Sequence, residues 1–335
     1  MLFRQLEYFV AVARERHFAR AAEACFVSQP ALSTAIAKLE RELNVMLINR
    51  GHNFEGLTPE GERLVVWAKR ILAEHDTFKT EVAAMRSGIT GTLRLGTEPT
   101  VSTVTGLPVA AFCATHPLAR VKVCAGLSAA ELRRRLRDFE LDAAIAHFAP
   151  DEREGLEVMP LYRERYVLIV SGEQLVPGGD PIGWAEAAQL PLALLTPDLK
   201  FRQLIDAAFA RTGLAPTPQV EADSLATLYA LVATGSWVGV VPQTWLRTMP
   251  MTAGMRALPL VDPEAGAGLG SGAGSGAAPG LEPEPAGREE ISLAINAGRP
   301  GSVLARAFLR AAVGLALDER LGAQGRDLAR ARQAA

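Results

Sequence analysis

The side chains that could do chemistry in this 335-residue chain form no recognisable catalytic or metal-binding pattern. Its five histidines fall in separate segments, and no His-Glu-x-x-His, Cys-x-x-Cys, phosphate-loop or Gly-x-Ser-x-Gly string occurs. Gly268, Gly270 and Ala273 fit Gly-x-Gly-x-x-Ala, but no strand leads into them, so a nucleotide site is rejected. No enzyme activity, cofactor or metal is therefore expected. What the spacing does supply is a recognition surface. Leu32, Ile36, Leu39 and Leu43 stand at helical intervals, which leaves Gln29, Ser33, Thr34, Ala37, Lys38 and Arg41 on the opposite face. Short amide, hydroxyl and ammonium groups on an exposed helix face can reach base edges and phosphates in a DNA major groove.

Such a helix needs elements to hold it. Leu2, Leu6, Phe9, Val10 and Ala13 predict a first amphipathic helix, and an alanine-rich stretch from Ala19 to Cys25 predicts a second. Ser28 is placed to cap the third, with Pro30 in its first turn, where a missing N–H costs nothing. Helix, short turn and helix follow at the spacing of a helix-turn-helix. The turn-rich segment from Arg50 to Gly56, flanked by apolar residues, reads as a hairpin wing. The net charge of −2, and seven basic residues balanced by seven acidic ones in the first sixty, mean that any DNA affinity must come from local placement of charge.

Thr58 and Pro59 open a helix expected to run to about Ser87. On it Leu64, Ala68, Ile71, His75, Phe78, Val82 and Met85 alternate in steps of four and three, a heptad seam for a second copy of the chain. Packing against its own chain is the alternative. His75 reads as a polar residue that sets register rather than as a ligand.

From Gly91 strands and helices alternate, which predicts an α/β fold with a parallel sheet in two lobes. The strand at Arg165 to Ser171 opens the second lobe, and Ile291 to Ala297 returns to the first. The expected domains are residues 1–58, a linker helix 59–88, and a ligand-sensing domain 91–318. Within the last, the first lobe takes 91–164 and 295–318 and the second 165–294. Glu264 to Gly287, almost all Gly, Ala, Ser, Pro and Glu, reads as a flexible insertion, and 319–335 as a disordered tail. Neither a signal peptide nor a membrane span is visible, and three cysteines without a close pair fit a reducing compartment, so the cytoplasm is expected. Cys25, Cys113 and Cys124 fall inside elements and read as buried structural residues rather than a redox switch.

The strings Leu6-Glu7-Tyr8-Phe9-Val10-Ala11-Val12-Ala13, Phe18-Ala19-Arg20-Ala21-Ala22, Val27-Ser28-Gln29-Pro30-Ala31-Leu32-Ser33 and Leu57-Thr58-Pro59-Glu60-Gly61 closely resemble the N-terminal domain of LysR-type transcription regulators. Looser matches follow at Gly91 to Gly96, Phe139 to Ile145, Leu231 to Gly235 and Val240 to Pro242. The resemblance implies a winged helix-turn-helix, a linker helix that pairs two chains, and a two-lobed effector domain like a periplasmic binding protein. It implies double-stranded promoter DNA, a small-molecule effector, a dimer or tetramer of the chain itself and RNA polymerase as partners.

By the same resemblance Ser28, Gln29, Pro30, Ser33, Thr34 and Lys38 meet DNA, with Arg50, His52 and Asn53 in the wing. The effector is implied to lie between the lobes, near Thr97, Glu98, Thr100, Ser102, Ser128, His147, Thr196, Phe201 and Arg202. Glu98 would oppose an anionic ligand unless Arg202 or another base faces it. Where the family favours Ser before Phe18, this chain has His17, which is expected to weaken that helix end. A transport-type binding protein would fit the α/β half alone but leaves the first ninety residues unexplained.

Overall fold

The computed structural model describes residues 1–50, 54–172, 180–249, 251–252, 254–261, 288–298 and 302–321. The 264–287 insertion, the wing residues His52 and Asn53 and nearly all of the expected tail lie outside the described residues. The N-terminal head is built from α1 (Phe3–Glu15), α2 (Phe18–Ala24) and α3 (Gln29–Leu43). Phe9, Val12, Ala21, Ala22, Leu32, Ile36 and Leu39 close its core. Each fully buried large apolar side chain contributes roughly 1.5–3 kcal/mol, so the stripe on α3 is a substantial part of what fixes this helix. Leu43, expected in that stripe, is instead exposed, because α3 ends there on Asn44 in a left-handed conformation and runs past the edge of the core.

Ser28 caps α3 as expected, its hydroxyl accepting from the Ala31 amide at 3.4 Å. His17 does not leave α2 uncapped: its Nδ1 accepts from the Ala19 amide at 3.2 Å and faces the Arg20 amide at 3.5 Å. An imidazole nitrogen thus takes the place of a serine oxygen.

Strands β1 (Ile48–Arg50) and β2 (Phe54–Leu57) form the antiparallel wing. Its root is tied to α3 by Glu40, a buried carboxylate that the sequence reading did not single out. Glu40 Oε1 accepts from the amides of Leu47 at 2.9 Å and Ile48 at 3.3 Å. Helix α4 (Pro59–Ser87) starts on Thr58, whose hydroxyl accepts from the Gly61 amide at 2.9 Å and donates to the Met46 carbonyl at 2.6 Å.

The seam expected along α4 divides in two. Ala68 is 3% exposed in the core of the head, and Leu64 and Ile71 pack beside it. Within the single chain Ala68 is thus used up by the head, against which α1 also packs, while Leu64 and Ile71 stay half-buried. The His75 ring stacks on Phe3 of its own chain at 3.9 Å between centroids. Beyond it Phe78, Val82 and Met85 are exposed, as are Val66 and Trp67 on another side of the helix.

The C-terminal domain runs β3 (Gly91–Thr97), α5 (Ser102–Thr115), β4 (Ala119–Ala125), α6 (Ala129–Arg137), β5 (Ala143–Ala146), β6 (Leu156–Ser171), β7 (Ile182–Gly183) and α7 (Trp184–Ala187). It continues through β8 (Leu192–Leu195), α8 (Lys200–Arg211), β9 (Val220–Ala222), α9 (Leu225–Ala233), β10 (Val238–Pro242), β11 (Met255–Val261), β12 (Arg288–Asn296) and α10 (Val303–Val313). Strands β3, β4 and β5 are parallel neighbours in the first lobe, and β8, β9 and β10 in the second. They are joined through β6 and β12, an antiparallel pair that passes from one lobe into the other.

Strand β6 begins at Leu156, well before the expected Arg165. Glu157, Pro160, Arg163 and Glu164 break its apolar run and hide the strand signal. Pro160 lacks an N–H for the ladder, and the register with β12 shifts beside it, where Ile291 faces Tyr162 and Ser292 faces Pro160. Ile291 and Leu293 lie in the first lobe's core, so that lobe takes up the returning strand earlier than the expected boundary at residue 295.

The joint between wing and linker helix leaves no space at Gly61: an added Cβ would collide with the Leu47 carbonyl, which is backbone and cannot rotate away. Gly61→Ala is expected to destabilise the head by about 2 kcal/mol or more. Thermal denaturation of the two proteins checks this, and an unchanged melting temperature would contradict the packing described.

Candidate nucleic-acid interface and effector cleft

The outer face of α3 is turned away from the core of the head. Gln29, Pro30, Thr34, Lys38 and Arg41 are exposed and Ser33 is half-buried, while Leu32, Ile36 and Leu39 on the opposite side have no solvent contact. Ser28 sits at its start, beside Phe26, which is 96% exposed and holds a left-handed backbone with φ of 55°. Arg50 lies at the end of β1, so the wing strand that carries it is in place. A helix exposing amides, hydroxyls and one ammonium group along two turns, next to a hairpin, has the shape of a major-groove reader with a flanking wing.

The lobes meet at a cleft whose lining combines one side of each. Glu98, Pro99 and Thr100 follow β3, Leu127, Ser128 and Ala129 begin α6, and Leu199, Lys200 and Phe201 begin α8 across the gap. The cavity they enclose measures about 10 Å³, room for one water-sized group. Four residues expected there, Glu98, Thr100, Ser128 and Phe201, line it. Ser128 also caps α6, its hydroxyl accepting from the Glu131 amide at 3.3 Å. Helix α8 begins on Leu199 with no side-chain cap.

Glu98 is 2% exposed. Its Oε2 stands 2.9 Å from His147 Nδ1 and accepts more weakly from the His147 amide at 3.4 Å, while its Oε1 has no partner among the described residues. His147 thus reaches the site through Glu98 and does not line the cavity. Thr97 is buried behind it, donating to the Glu98 carbonyl, and Ser102 closes a turn onto the Pro99 carbonyl. Thr196 has a buried hydroxyl without a partner, outside the cavity lining.

Arg202 does not face Glu98. It is buried with its guanidinium on the Leu195 carbonyl, Asp206 and Glu221, the last two at 2.8 Å, and this pairing holds its charge inside the second lobe. Lys200 is the basic residue that lines the cleft, a position the sequence reading passed over because a single lysine at a helix start carries no pattern.

Two further arrangements connect the parts. Lys69 on α4 pairs with Asp138 at 2.9 Å and Glu140 at 3.5 Å, both in the turn after α6, and a cavity of about 500 Å³ lies beside this bridge between linker helix and first lobe. Where β6 crosses between lobes, Glu164 is buried and accepts from the Thr244 hydroxyl and amide, from the Arg165 amide and from the Tyr162 hydroxyl.

Head, linker helix and bilobed α/β domain together define a DNA-binding regulator that carries its own ligand-binding domain. A family model for "Bacterial regulatory helix-turn-helix protein, lysR family" matches residues 3–62, and one for "LysR substrate binding domain" matches residues 86–315. The chain belongs to the LysR family of transcription regulators. It is 30% identical over 275 residues to a hydrogen peroxide-inducible genes activator of Haemophilus influenzae, a match spanning 79% of this chain and 87% of the relative. It is 30% identical over 266 residues to the DNA-binding transcriptional dual regulator OxyR of Escherichia coli strain K12, covering 79% and 86%. Among solved structures, a full-length OxyR point variant from Pseudomonas aeruginosa superposes with a TM-score of 0.68 at 25% identity, covering 92% of this chain and 94% of that one. Full-length CbnR with its target DNA superposes with a TM-score of 0.60 at 22% identity, covering 93% and 99%, and supports the shared fold.

Burial pushes the Glu164 carboxyl above the ordinary carboxylate range, against the hydrogen bonds it accepts. A raised folded value means a stabilising contribution that is complete below the unfolded carboxyl's range and is lost as pH rises through the folded value. Glu164→Gln has no such proton to lose. The variant is expected to show a flatter fall in melting temperature from acid to neutral pH, and an unchanged slope would contradict a carboxyl governed by burial.

Proposed function

We propose that the exposed face of α3 reads its operator in the major groove through Gln29, Ser33 and Thr34. Ser28, Pro30 and Lys38 contact the backbone at its margins, and the wing bearing Arg50, His52 and Asn53 grips the flanking phosphates. The observation that carries this reading is the division of α3: one side sealed by Leu32, Ile36 and Leu39, the other polar and largely exposed. The structure of CbnR, of similar fold, is one with its target DNA, which supports the assignment of this half of the molecule. The head, the linker helix and the bilobed domain act as three units, close to residues 1–58, 59–88 and 91–318.

The protein works as a homodimer, with Phe78, Val82 and Met85 on the distal half of α4 offering the apolar face for the partner helix. A tetramer would bring two such pairs onto one operator, and RNA polymerase is a further partner at the promoter. The chain catalyses no reaction and acts in the cytoplasm. Its relatives' regulatory roles support the first, and among the described residues no helix is long and apolar enough to cross a membrane.

A small molecule held at Glu98, Thr100, Ser128 and Phe201 sets the angle between lobes, and the Lys69 bridge to the turn after α6 passes that change to the linker helix. The peroxide response in the relatives' names is not carried over to a thiol in this cleft. Contrary to the expectation of buried residues inside elements, the three cysteines are half-buried and Cys25 lies just past the end of α2, with Cys113 in α5 and Cys124 in β4; none lines either cavity, and burial pushes the Cys25 thiol up, away from the reactive thiolate.

Lys38→Ala tests the interface. It should weaken binding to a duplex from the chain's own locus by a similar factor for specific and unrelated sequences, and lower the slope of log affinity against log salt by about 0.9. Thr34→Ala should instead narrow the gap between specific and unrelated DNA. Gel-shift titrations at several salt concentrations read both, and a Lys38→Ala variant with wild-type affinity and slope would overturn the assignment.

A further inference from the structure

We infer that the effector is a small zwitterion of the α-amino acid class, its ammonium on Glu98 and its carboxylate at the start of α8 beside Lys200. This rests on the cleft reading above and adds the ligand's chemistry. Glu98 is almost wholly buried, and Oε1, one of the two oxygens of a group that lines the cavity, has no hydrogen-bond partner among the described residues. A buried acceptor left open is unfavourable, so the site is incomplete as it stands and is completed by a donor. His147 occupies only the other oxygen, through Nδ1.

Across the cleft the charge is reversed. Helix α8 has twelve residues, its start lines the cavity and no side chain caps its first amides, and Lys200 at its first position adds a cation that makes no ion pair among the described residues. Uncapped amides at a helix start attract anions. Ser128, by contrast, already uses its hydroxyl on α6. An acceptor-only pole and a donor-only pole facing one another across a narrow gap are matched by a compact molecule with a cation at one end and an anion at the other.

A plain carboxylate would satisfy α8 and Lys200 but leave Glu98 open and repel it. A plain amine would satisfy Glu98 but face Lys200. The cavity of about 10 Å³ admits only one small group while the lobes are closed, so a ligand enters as they part and a bulky side chain would hold them open.

The test uses the full-length protein and the standard L-α-amino acids, each titrated singly by thermal shift and then by calorimetry. For any that binds, the matched carboxylic acid without the ammonium group and the matched amine without the carboxylate serve as controls. The expected result is saturable binding of at least one amino acid, with both truncated analogues weaker by about tenfold or more. Glu98→Gln and Lys200→Met should each weaken that binding by a similar factor, with circular dichroism confirming that both variants fold. Should either variant fail to fold, the truncated analogues on the unaltered protein still decide. If no amino acid binds, or if the carboxylic acid binds as well as its amino acid, the inference is overturned. A different metabolite that binds and alters DNA affinity would then leave the regulatory reading standing, whereas no metabolite doing so would remove both.

Discussion

Everything in the head follows from one requirement placed on α3: a single helix must be anchored on one side by apolar contact and left clear on the other. Leu32, Ile36 and Leu39 meet the first condition by filling the centre of the three-helix core. The second is met because the remaining positions carry small or polar side chains that gain little from burial. Capping by Ser28 and His17, and the left-handed turn at Phe26, set the angle at which α3 leaves α2. Glu40 then ties the wing to the same helix by accepting two backbone amides, so reader and wing move as one body.

On the proposed reading, continuity of backbone carries events in the cleft toward this head. Strand β6 pairs with β12 in the first lobe and with β10 and β11 in the second, so it is continuous across both, and the buried Glu164 with its Thr244, Arg165 and Tyr162 partners fastens it where it crosses. On the first lobe, the turn after α6 accepts Lys69 from the linker helix. Helix α6 begins in the cleft at Ser128 and ends at the turn that meets Lys69, so one rigid element touches both the ligand cavity and the linker. Exposed ion pairs contribute little to stability, but the Lys69 pair is largely shielded and fixes an orientation.

Much of this was legible in the sequence wherever local signals and tertiary demands agree. Periodicity found α1 to α3, and Ser28 and Thr58 marked helix starts through the oxygen each offers to an amide. The α/β alternation gave both lobes, and Glu98, Thr100, Ser128 and Phe201 were placed near the cleft by family resemblance and meet there. The failures have physical causes. A heptad pattern cannot tell which partner it packs on, and Ala68, read as part of a seam between chains, is buried in the head of its own chain. Arg202 looked available because its partners Asp206 and Glu221 come together only in the fold. Polar residues along β6 masked a strand whose two ends serve different lobes. Glu40 and Lys200 carried no signal, since a lone charged residue on a helix reads as solvated surface until the neighbouring backbone is known.

The central claim is that the polar face of α3 enters duplex DNA as one half of a paired reader. Hydroxyl-radical footprinting of the full-length protein on the duplex upstream of its own coding region tests it most directly. The account predicts two protected half-sites spaced by about 10 base pairs or a multiple of that repeat, on one face of the helix. A duplex left evenly cleaved at low salt, or protection of a single isolated site, would contradict it.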